Sequence, residues 1–478
     1  MGLARAVPVN GPKPLPMHGA GRATARQRQR LLRVSLDPLH AALLTLVVMT
    51  TSRIHQHFPF LAVLRPALLL VALSFFLAVV NPRFLSEKGL LFTWPPKAIF
   101  AFAVMACLSV PFGISAGASG AFILQQYLPV LVLAALLILA IRNAADLYAL
   151  IWAFVIGGGI LAYFANYVFQ LSVFNGQARL DNLYMFDAND AGLVLTIAIP
   201  LTILTLQVAR WPGKVLSLLF LAWEWIAIAR TGSRGAFVGV IAVGAGLLVF
   251  ANGLSIPRRL AILVTATGVL MIAAPQGYWT QMQTITTPTA DYNWTSATGR
   301  KQIAKRGIAY MLDYPVTGLG IGNFGRAEGT ISDRAKDWSN GDPGIKWTAP
   351  HNSHLEAGAE LGFPGLAIWI VMLIGGIVGP LRLRRRLPKS WRHGAPDERF
   401  IYAATMYVPT AMLGFTVCCT FVSFTYIDPV YVLLAFVSGL YVCSDAMLRR
   451  APRATATPRL APRAPAPALP DLRRQSVS

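Results

Sequence analysis

The sequence predicts an all-α, polytopic membrane protein of about twelve transmembrane helices, with one large loop between helices nine and ten. Three observations carry this. Apolar runs of about 20 residues, the length that crosses a bilayer core, recur along the 478-residue chain. Hydrophobic residues make up 55 % of it and charged residues only 13 %. The basic residues fall between the runs, as membrane topology requires of them.

Taken in order, the runs are broken by Pro, Gly and charge, and place helix starts near Leu39, Phe60, Lys97, Ala121, Leu147, Asp190, Val215, Gly235, Leu260, Asn352, Phe400 and Pro429. The first run, Leu39 to Thr50, has the length of a signal-peptide apolar region. No small-residue cleavage site follows it, so it is expected to remain as a short first span.

Of the 42 Lys and Arg residues, seven lie in 1–36, seven in 382–399 and seven in 449–478. The short segments on the other side hold only Arg53, Arg65, Arg179, Arg230 and Arg234, and the long loop holds eight more. Short basic loops resist translocation, while long loops cross largely regardless of charge. Both termini are therefore expected to be cytoplasmic, which divides the chain into a basic N-terminal segment (1–36), a membrane domain (37–447) that includes an outer loop at 275–350, and a tail (448–478). The tail is rich in Pro, Ala and Arg and cannot bury a core, so disorder is expected there.

The net charge of +22 is accounted for by this topology and gives no reason to expect nucleic acid as a partner. Membrane lipids are the expected surroundings. Cys107, Cys418, Cys419 and Cys443 all sit in apolar runs without metal-ligand spacing, so neither a disulfide framework nor a metal site is expected.

Within the outer loop, TSATGRKQIAKRGIAYMLDYP reads as an amphipathic helix. Ile303, Gly307, Tyr310 and Met311 share one face, Arg300, Lys301, Lys305 and Arg306 form a basic patch, and Asp313-Tyr314-Pro315 ends it.

Some residues are not explained by topology. Arg230 and Arg234 occupy ARTGSRG, a tight outer turn, where the positive-inside tendency would remove them. Two guanidiniums there suit a phosphate or pyrophosphate, through bidentate charge-assisted bonds. The competing account is a structural arginine, paired for instance with Glu224 in the preceding span. Arg179 is a third outer arginine. Asp187-Ala188-Asn189-Asp190 suits a helix N-cap. Gly320-Ile321-Gly322-Asn323-Phe324-Gly325 fits a dinucleotide pattern, but no strand-turn-helix unit surrounds it, so a glycine bend packed closely on the spans is expected instead. In TAPHNSHLEAGAELGFPGL, Ser353 and Glu356 suit a capping box. His351 and Asn352 remain just ahead of it, where the positive end of the helix dipole disfavours a protonated histidine. His354, Glu360 and Glu224 receive no role from sequence.

His351-Asn352, followed after nine residues by Gly362 and after two more by Gly365, resembles the signature of the O-antigen ligase and polymerase family. That family includes lipid A-core O-antigen ligases, repeat-unit polymerases and related O-oligosaccharyltransferases. TGSRGA (231–236), Gly299-Arg300, DYPVTGLGIGNF (313–324) and the DAND turn resemble it in the same order. Where the family often has Asp-Pro-Asn, this chain has Ala188.

The resemblance implies a glycosyltransferase-C-like fold and an undecaprenyl-diphosphate-linked glycan as donor. It implies His351 as the base that activates an acceptor hydroxyl, and Arg234 and Arg300 as ligands of the diphosphate, with Arg230 added. Arg179, Asn189 and Asn352 are further candidates for substrate binding. The expected reaction is an inverting, metal-independent and cofactor-free glycan transfer at the periplasmic face of a bacterial inner membrane. Its acceptor would be lipid A-core or another glycan. A repeat-unit polymerase, a transporter of lipid-linked glycan and a membrane scaffold are the alternatives. Acceptor identity, glycan structure and oligomeric state are not legible in the residues.

Overall fold

The computed structural model describes residues 37–450, apart from 87, 175, 182, 184–185, 251–255, 291–293, 295, 297–298, 334 and 336–347. The two terminal segments expected above, 1–36 and the tail beyond 450, lie outside the described residues. Among the described residues the fold is all-α but for a two-stranded antiparallel hairpin.

In chain order the apolar helices are α1 (Pro38–Ser52), α2 (Pro66–Val80), α3 (Trp94–Ser109), α4 (Ala116–Ala140), α5 (Ala144–Tyr167), α6 (Ala188–Val208), α7 (Trp211–Thr231), α8 (Arg234–Phe250) and α9 (Ile256–Ala273). The loop then carries α10 (Tyr278–Gln283), α11 (Arg300–Asp313) and α12 (Phe324–Thr330), and the chain closes with α13 (Ser353–Arg386), α14 (Pro396–Cys418) and α15 (Asp428–Arg450). The hairpin, β1 (Leu171–Phe174) and β2 (Gln177–Leu180), links α5 to α6 and pairs Ser172 with Arg179.

Seven of these helices, α4 to α7 and α13 to α15, are long and apolar enough to cross a membrane. The run expected from Phe60 is interrupted: a short helix, Pro59–Leu64, precedes α2, because Arg65 adopts a left-handed backbone that ends one helix before Pro66 starts the next.

Helix α6 is the axis of the bundle and packs on α5, α7, α8 and α14. Without a hydrophobic difference between lipid and side chain, membrane helices associate through close packing at small residues. Three consecutive glycines of α5 show how this is done. A methyl on Gly157 would lie 2.6 Å from Thr51 of α1, one on Gly158 2.8 Å from Ala198 of α6, and one on Gly159 2.5 Å from the Phe220 ring of α7. Buried polar groups are paired across helices, as Thr202 with Glu224 (2.8 Å) and Thr205 with Ser217 (2.8 Å).

Helix α13 is broken at Gly362, whose φ of 68° and ψ of −174° lie outside the helical region. The break leaves the carbonyls of Ala359 and Glu360 without their usual donors, and Pro364 has no N–H to offer. The glycine-rich loop replaces those donors: Leu319 N–H donates to Ala359 O (2.8 Å) and Gly320 N–H to Glu360 O (3.0 Å), while Phe363 N–H donates to Pro315 O (2.8 Å). Irregular backbone at membrane depth is tolerated only where protein satisfies it in this way. The close packing expected of GLGIGNF is thus observed. Gly318, Gly320 and Gly322 all have positive φ, and among the described residues no strand adjoins them.

Candidate active site

His351 stands one residue ahead of the cap of α13. Its backbone is left-handed (φ 47°), an uncommon state for a residue with a side chain, and its N–H donates to Ser423 Oγ at 3.0 Å. The capping box expected at Ser353 and Glu356 is not formed. Asn352 is the N-cap, its Oδ1 accepting from His354 N–H (2.9 Å) and Leu355 N–H (3.1 Å). Ser353 instead donates to Val422 O (2.8 Å) and accepts from Phe424 N–H (2.8 Å), and the Glu356 carboxyl accepts from Thr425 N–H (3.2 Å). The physical reason is tertiary: the segment after α14 lies against the mouth of α13 and offers these side chains better partners than their own helix end.

The charges acting on the imidazole come from three separate segments. Burial, Arg300 and Arg179 hold His351 below its ordinary pKa of 6.5, opposed by Asp187. Arg300 opens α11, and Arg179 projects from β2. The amphipathic reading of α11 holds residue by residue: Ile303, Gly307, Tyr310 and Met311 are its buried positions. A methyl on Gly307 would lie 2.7 Å from Leu355, and one on Gly358 2.7 Å from Met311, so α11 is seated directly on the first turns of α13. From the basic patch, Arg306 is taken by the buried Glu328 (Nε to Oε1, 2.9 Å), which also accepts from the Tyr310 hydroxyl (2.9 Å).

The turn 231–234 lies against the same region. Ser233 Oγ donates to Asn189 Oδ1 (3.0 Å), and a methyl on Gly232 would be 3.6 Å from Arg179 Cγ. Arg234 begins α8 and donates from one terminal nitrogen to Thr284 Oγ1 (2.7 Å). Arg179 Nε is a buried donor without a hydrogen-bond partner. A buried donor of this kind is available to an acceptor.

Three candidates are placed differently from the sequence expectation. Arg230 belongs to the last turn of α7 and donates from Nε to Ala165 O (2.9 Å). It does not pair with Glu224, which is bonded to Thr202. Asn189 and Asn352 spend their side-chain oxygens inside the protein, Asn352 as the cap of α13 and Asn189 on Ser233. The Asn189 amide nitrogen also donates to Asp187 Oδ2 (3.0 Å). The DAND segment is a reciprocal cap: Asp190 N–H donates to Asp187 Oδ1 (2.8 Å) and Asp187 N–H to Asp190 Oδ2 (3.0 Å). Ala188 occupies N1, where a proline is also at home.

Sequence gave His354 and Glu360 no role, and the structure supplies one for each. Trp369 Nε1–H can only donate, and it donates to His354 Nδ1 (3.2 Å). The proton of neutral His354 is therefore on Nε2, which faces Cys419 Sγ at 3.6 Å. With its lone pair occupied, His354 cannot act as a base, whereas among the described residues none is hydrogen-bonded to the His351 ring. Glu360 accepts from Gly322 N–H (2.8 Å) and Phe324 N–H (2.9 Å) on its two oxygens, and so clamps the glycine-rich loop to the broken helix. Among the described residues no three His, Cys, Asp or Glu side chains converge as metal ligands would.

Residues 215–370 match the family model described as O-Antigen ligase (Wzy_C). This stretch is similar to an O-antigen ligase domain. The match runs from α7 into α13 and takes in Arg230, Arg234, Arg300, the glycine-rich loop and His351. The O-antigen ligase domain is an enzyme domain of ligase and polymerase type, and the apolar helices around it make this an integral membrane protein. Arg179 and the DAND cap lie N-terminal to the matched stretch and reach the domain only through the fold. No curated protein is recognisably similar to the chain.

Proposed function

We propose that the protein transfers a glycan from undecaprenyl diphosphate to a saccharide acceptor, in an inverting and metal-independent reaction at the periplasmic face of the inner membrane. The observation that carries this proposal is the environment of His351: a half-buried imidazole held below its ordinary pKa beside Arg300 and Arg179, at one end of a membrane bundle.

The neutral imidazole takes the proton of an acceptor hydroxyl as that oxygen attacks the anomeric carbon. The bond from that carbon to the diphosphate oxygen breaks, and undecaprenyl diphosphate leaves with the electron pair. Arg300, Arg234 and Arg179 supply the positive charge that stabilises the leaving group. Arg230, tied to Ala165, supports the turn and acts at longer range. On this proposal twelve helices span the membrane, α1 to α9 and α13 to α15, and both termini are cytoplasmic. The basic residues at the inner ends of the helices, Arg384, Arg385 and Arg386 among them, favour that orientation.

A repeat-unit polymerase uses the same chemistry with a second lipid-linked unit as acceptor. A transporter would place its ionisable groups on broken helices near the midplane. Here the broken helix carries Glu360, which is bonded to the loop.

The deciding experiment offers the purified protein in lipid vesicles a lipid-diphosphate glycan, together with either a lipid A-core glycolipid or further lipid-linked units. A ligated glycolipid identifies a ligase and a lengthened lipid-linked chain a polymerase. Movement of the donor across the bilayer without a new glycosidic bond would refute the transferase.

A further inference from the structure

Helix α13 runs from the candidate site to the opposite end of the bundle. Its 34 residues span about 50 Å at 1.5 Å per residue, against about 30 Å of bilayer core. Its last turns therefore stand at head-group level, and they hold Arg382, Arg384, Arg385 and Arg386. The preference of short loops for basic residues explains why arginines occur here. It does not say what each of them does.

Their surroundings separate them. Arg384 is half-buried, donates to Tyr402 O and lies 4.0 Å from the centre of the Tyr402 ring, so it ties α13 to α14. Arg382 and Arg386, one turn apart, are exposed on nearly the opposite side of the helix. They share a face with Gly375 and Gly379, where α3 and α15 pack on α13. A methyl on Gly375 would lie 2.6 Å from the Trp94 ring, and one on Gly379 2.7 Å from the Tyr441 hydroxyl and 3.3 Å from Trp94 Nε1. An indole N–H and a phenol hydroxyl thus come together one turn before two guanidiniums, and both arginines are within electrostatic reach of that hydroxyl. Tryptophan and tyrosine favour this depth because their polar tips reach the head groups. Among the described residues no acid is paired with Arg382 or Arg386, and Asp445, one turn past Tyr441, is held by Arg449 (3.0 Å).

The surface beside the charges decides the class of ligand. Lys97, one turn into α3, is exposed, and the exposed face of α3 continues from it through Phe100 and Val104. Three turns before Arg382, on the same side of α13, Val371 is exposed as well. A free anion gains nothing from apolar flanks, whereas the acyl chains below a phospholipid phosphate lie along them. Two guanidiniums without an acid favour a net negative head group over a zwitterionic one, whose amine they repel. We propose that Arg382 and Arg386, with Trp94 and Tyr441, hold the phosphate of an anionic phospholipid. The lipid fixes the depth of α13, the helix whose other end carries His351. This assignment does not depend on the transfer reaction proposed above.

Native mass spectrometry of the full chain in detergent tests it, with dioleoyl phosphatidylglycerol and dioleoyl phosphatidylcholine as probes. Wild type should retain phosphatidylglycerol in preference to phosphatidylcholine. Arg382→Gln and Arg386→Gln should each raise the Kd for phosphatidylglycerol about five-fold and the double variant about 30-fold, at the usual contribution of a basic residue near an anionic lipid. Arg210→Gln is the control: Arg210 is also exposed at this end of the bundle, just ahead of α7, and its loss should change nothing. Equal retention of the two lipids, an unchanged Kd in the double variant, or an equal loss in Arg210→Gln, the mark of diffuse charge, overturns the site. Release of the lipid by inorganic phosphate at constant ionic strength would reveal a free-anion site and overturns it too.

A second readout needs no variant. Raising the ammonium acetate concentration about ten-fold should release phosphatidylglycerol from the wild type, because salt screens exposed charges. Retention that does not respond to salt overturns the assignment.

Discussion

Replacing Glu360 by glutamine isolates the contact that holds the outer loop on the broken span. Each oxygen of the carboxyl accepts one backbone N–H, from Gly322 at 2.8 Å and from Phe324 at 2.9 Å. An amide side chain has one oxygen, so one of these bonds is lost and an NH₂ group is turned toward a backbone N–H. A hydrogen bond to a carboxylate contributes about 1.5–3 kcal/mol, and a buried donor left unpaired costs about as much. The loop should therefore loosen by about 2–3 kcal/mol, which lowers amide protection roughly 30- to 150-fold, given about 1.4 kcal/mol per factor of ten. Hydrogen-exchange mass spectrometry of the full chain in nanodiscs, read on peptides covering 316–325, measures this directly. Because the same loop follows α11, which carries Arg300, glycan transfer should fall with it. Unchanged protection across 316–325 in a folded Glu360→Gln protein would refute the clamp.

Further outcomes are expected at the site and in the bundle. His351→Asn, a residue that tolerates the left-handed backbone at this position, should abolish transfer with little change in melting temperature. His354→Ala should instead lower stability by about 1–3 kcal/mol by leaving Trp369 Nε1 unpaired, while transfer persists at low temperature; the opposite pattern would exchange their roles. The pH profile of kcat/KM should show an acid limb below 6.5, because the neutral form of His351 is favoured. Asp187→Asn, which keeps the cap, should move that limb to lower pH and Arg300→Gln to higher pH, and a shared direction would count against both contacts. The same depressed pKa affects folding. As pH falls below 6.5 the unfolded chain takes up a proton that native His351 resists, so this contribution to stability is present above 6.5 and is lost down to the folded pKa. Finally, Gly159→Ala would place a methyl 2.5 Å from Phe220 and should cost about 1–3 kcal/mol of stability without a KM change. Thermal melting in detergent checks this.

Much of the architecture was legible in the residues because hydropathy and helical period are local properties. The apolar runs locate the helices, and the four buried positions of α11 follow from its spacing alone. The candidate site was legible in part. His351 stood out as a polar residue at the mouth of an apolar helix. Arg179, Arg230 and Arg234 stood out because topology disfavours arginine in short outer segments. Asp187 was recognisable as a cap, but its influence on His351 was not. Arg53 was visible only as one of five such arginines, and its balancing partner Asp428 lies 375 positions away.

What the sequence by itself determined is the all-α membrane class, the positions of most helices, the DAND cap and the polar residues that sit where apolar ones are expected. The tertiary structure alone decided the rest. It made Asn352, not Ser353, the cap, because the segment after α14 bonds Ser353 and Glu356 first. It distinguished His351 from His354, because Trp369, fifteen residues further on, occupies the lone pair of one of them. It broke α13 at Gly362 and gave Glu360 a partner in a loop some 40 residues earlier. In each case the partner comes from outside the local segment. Which pair forms depends on where packing puts the backbones, and no local pattern contains that information.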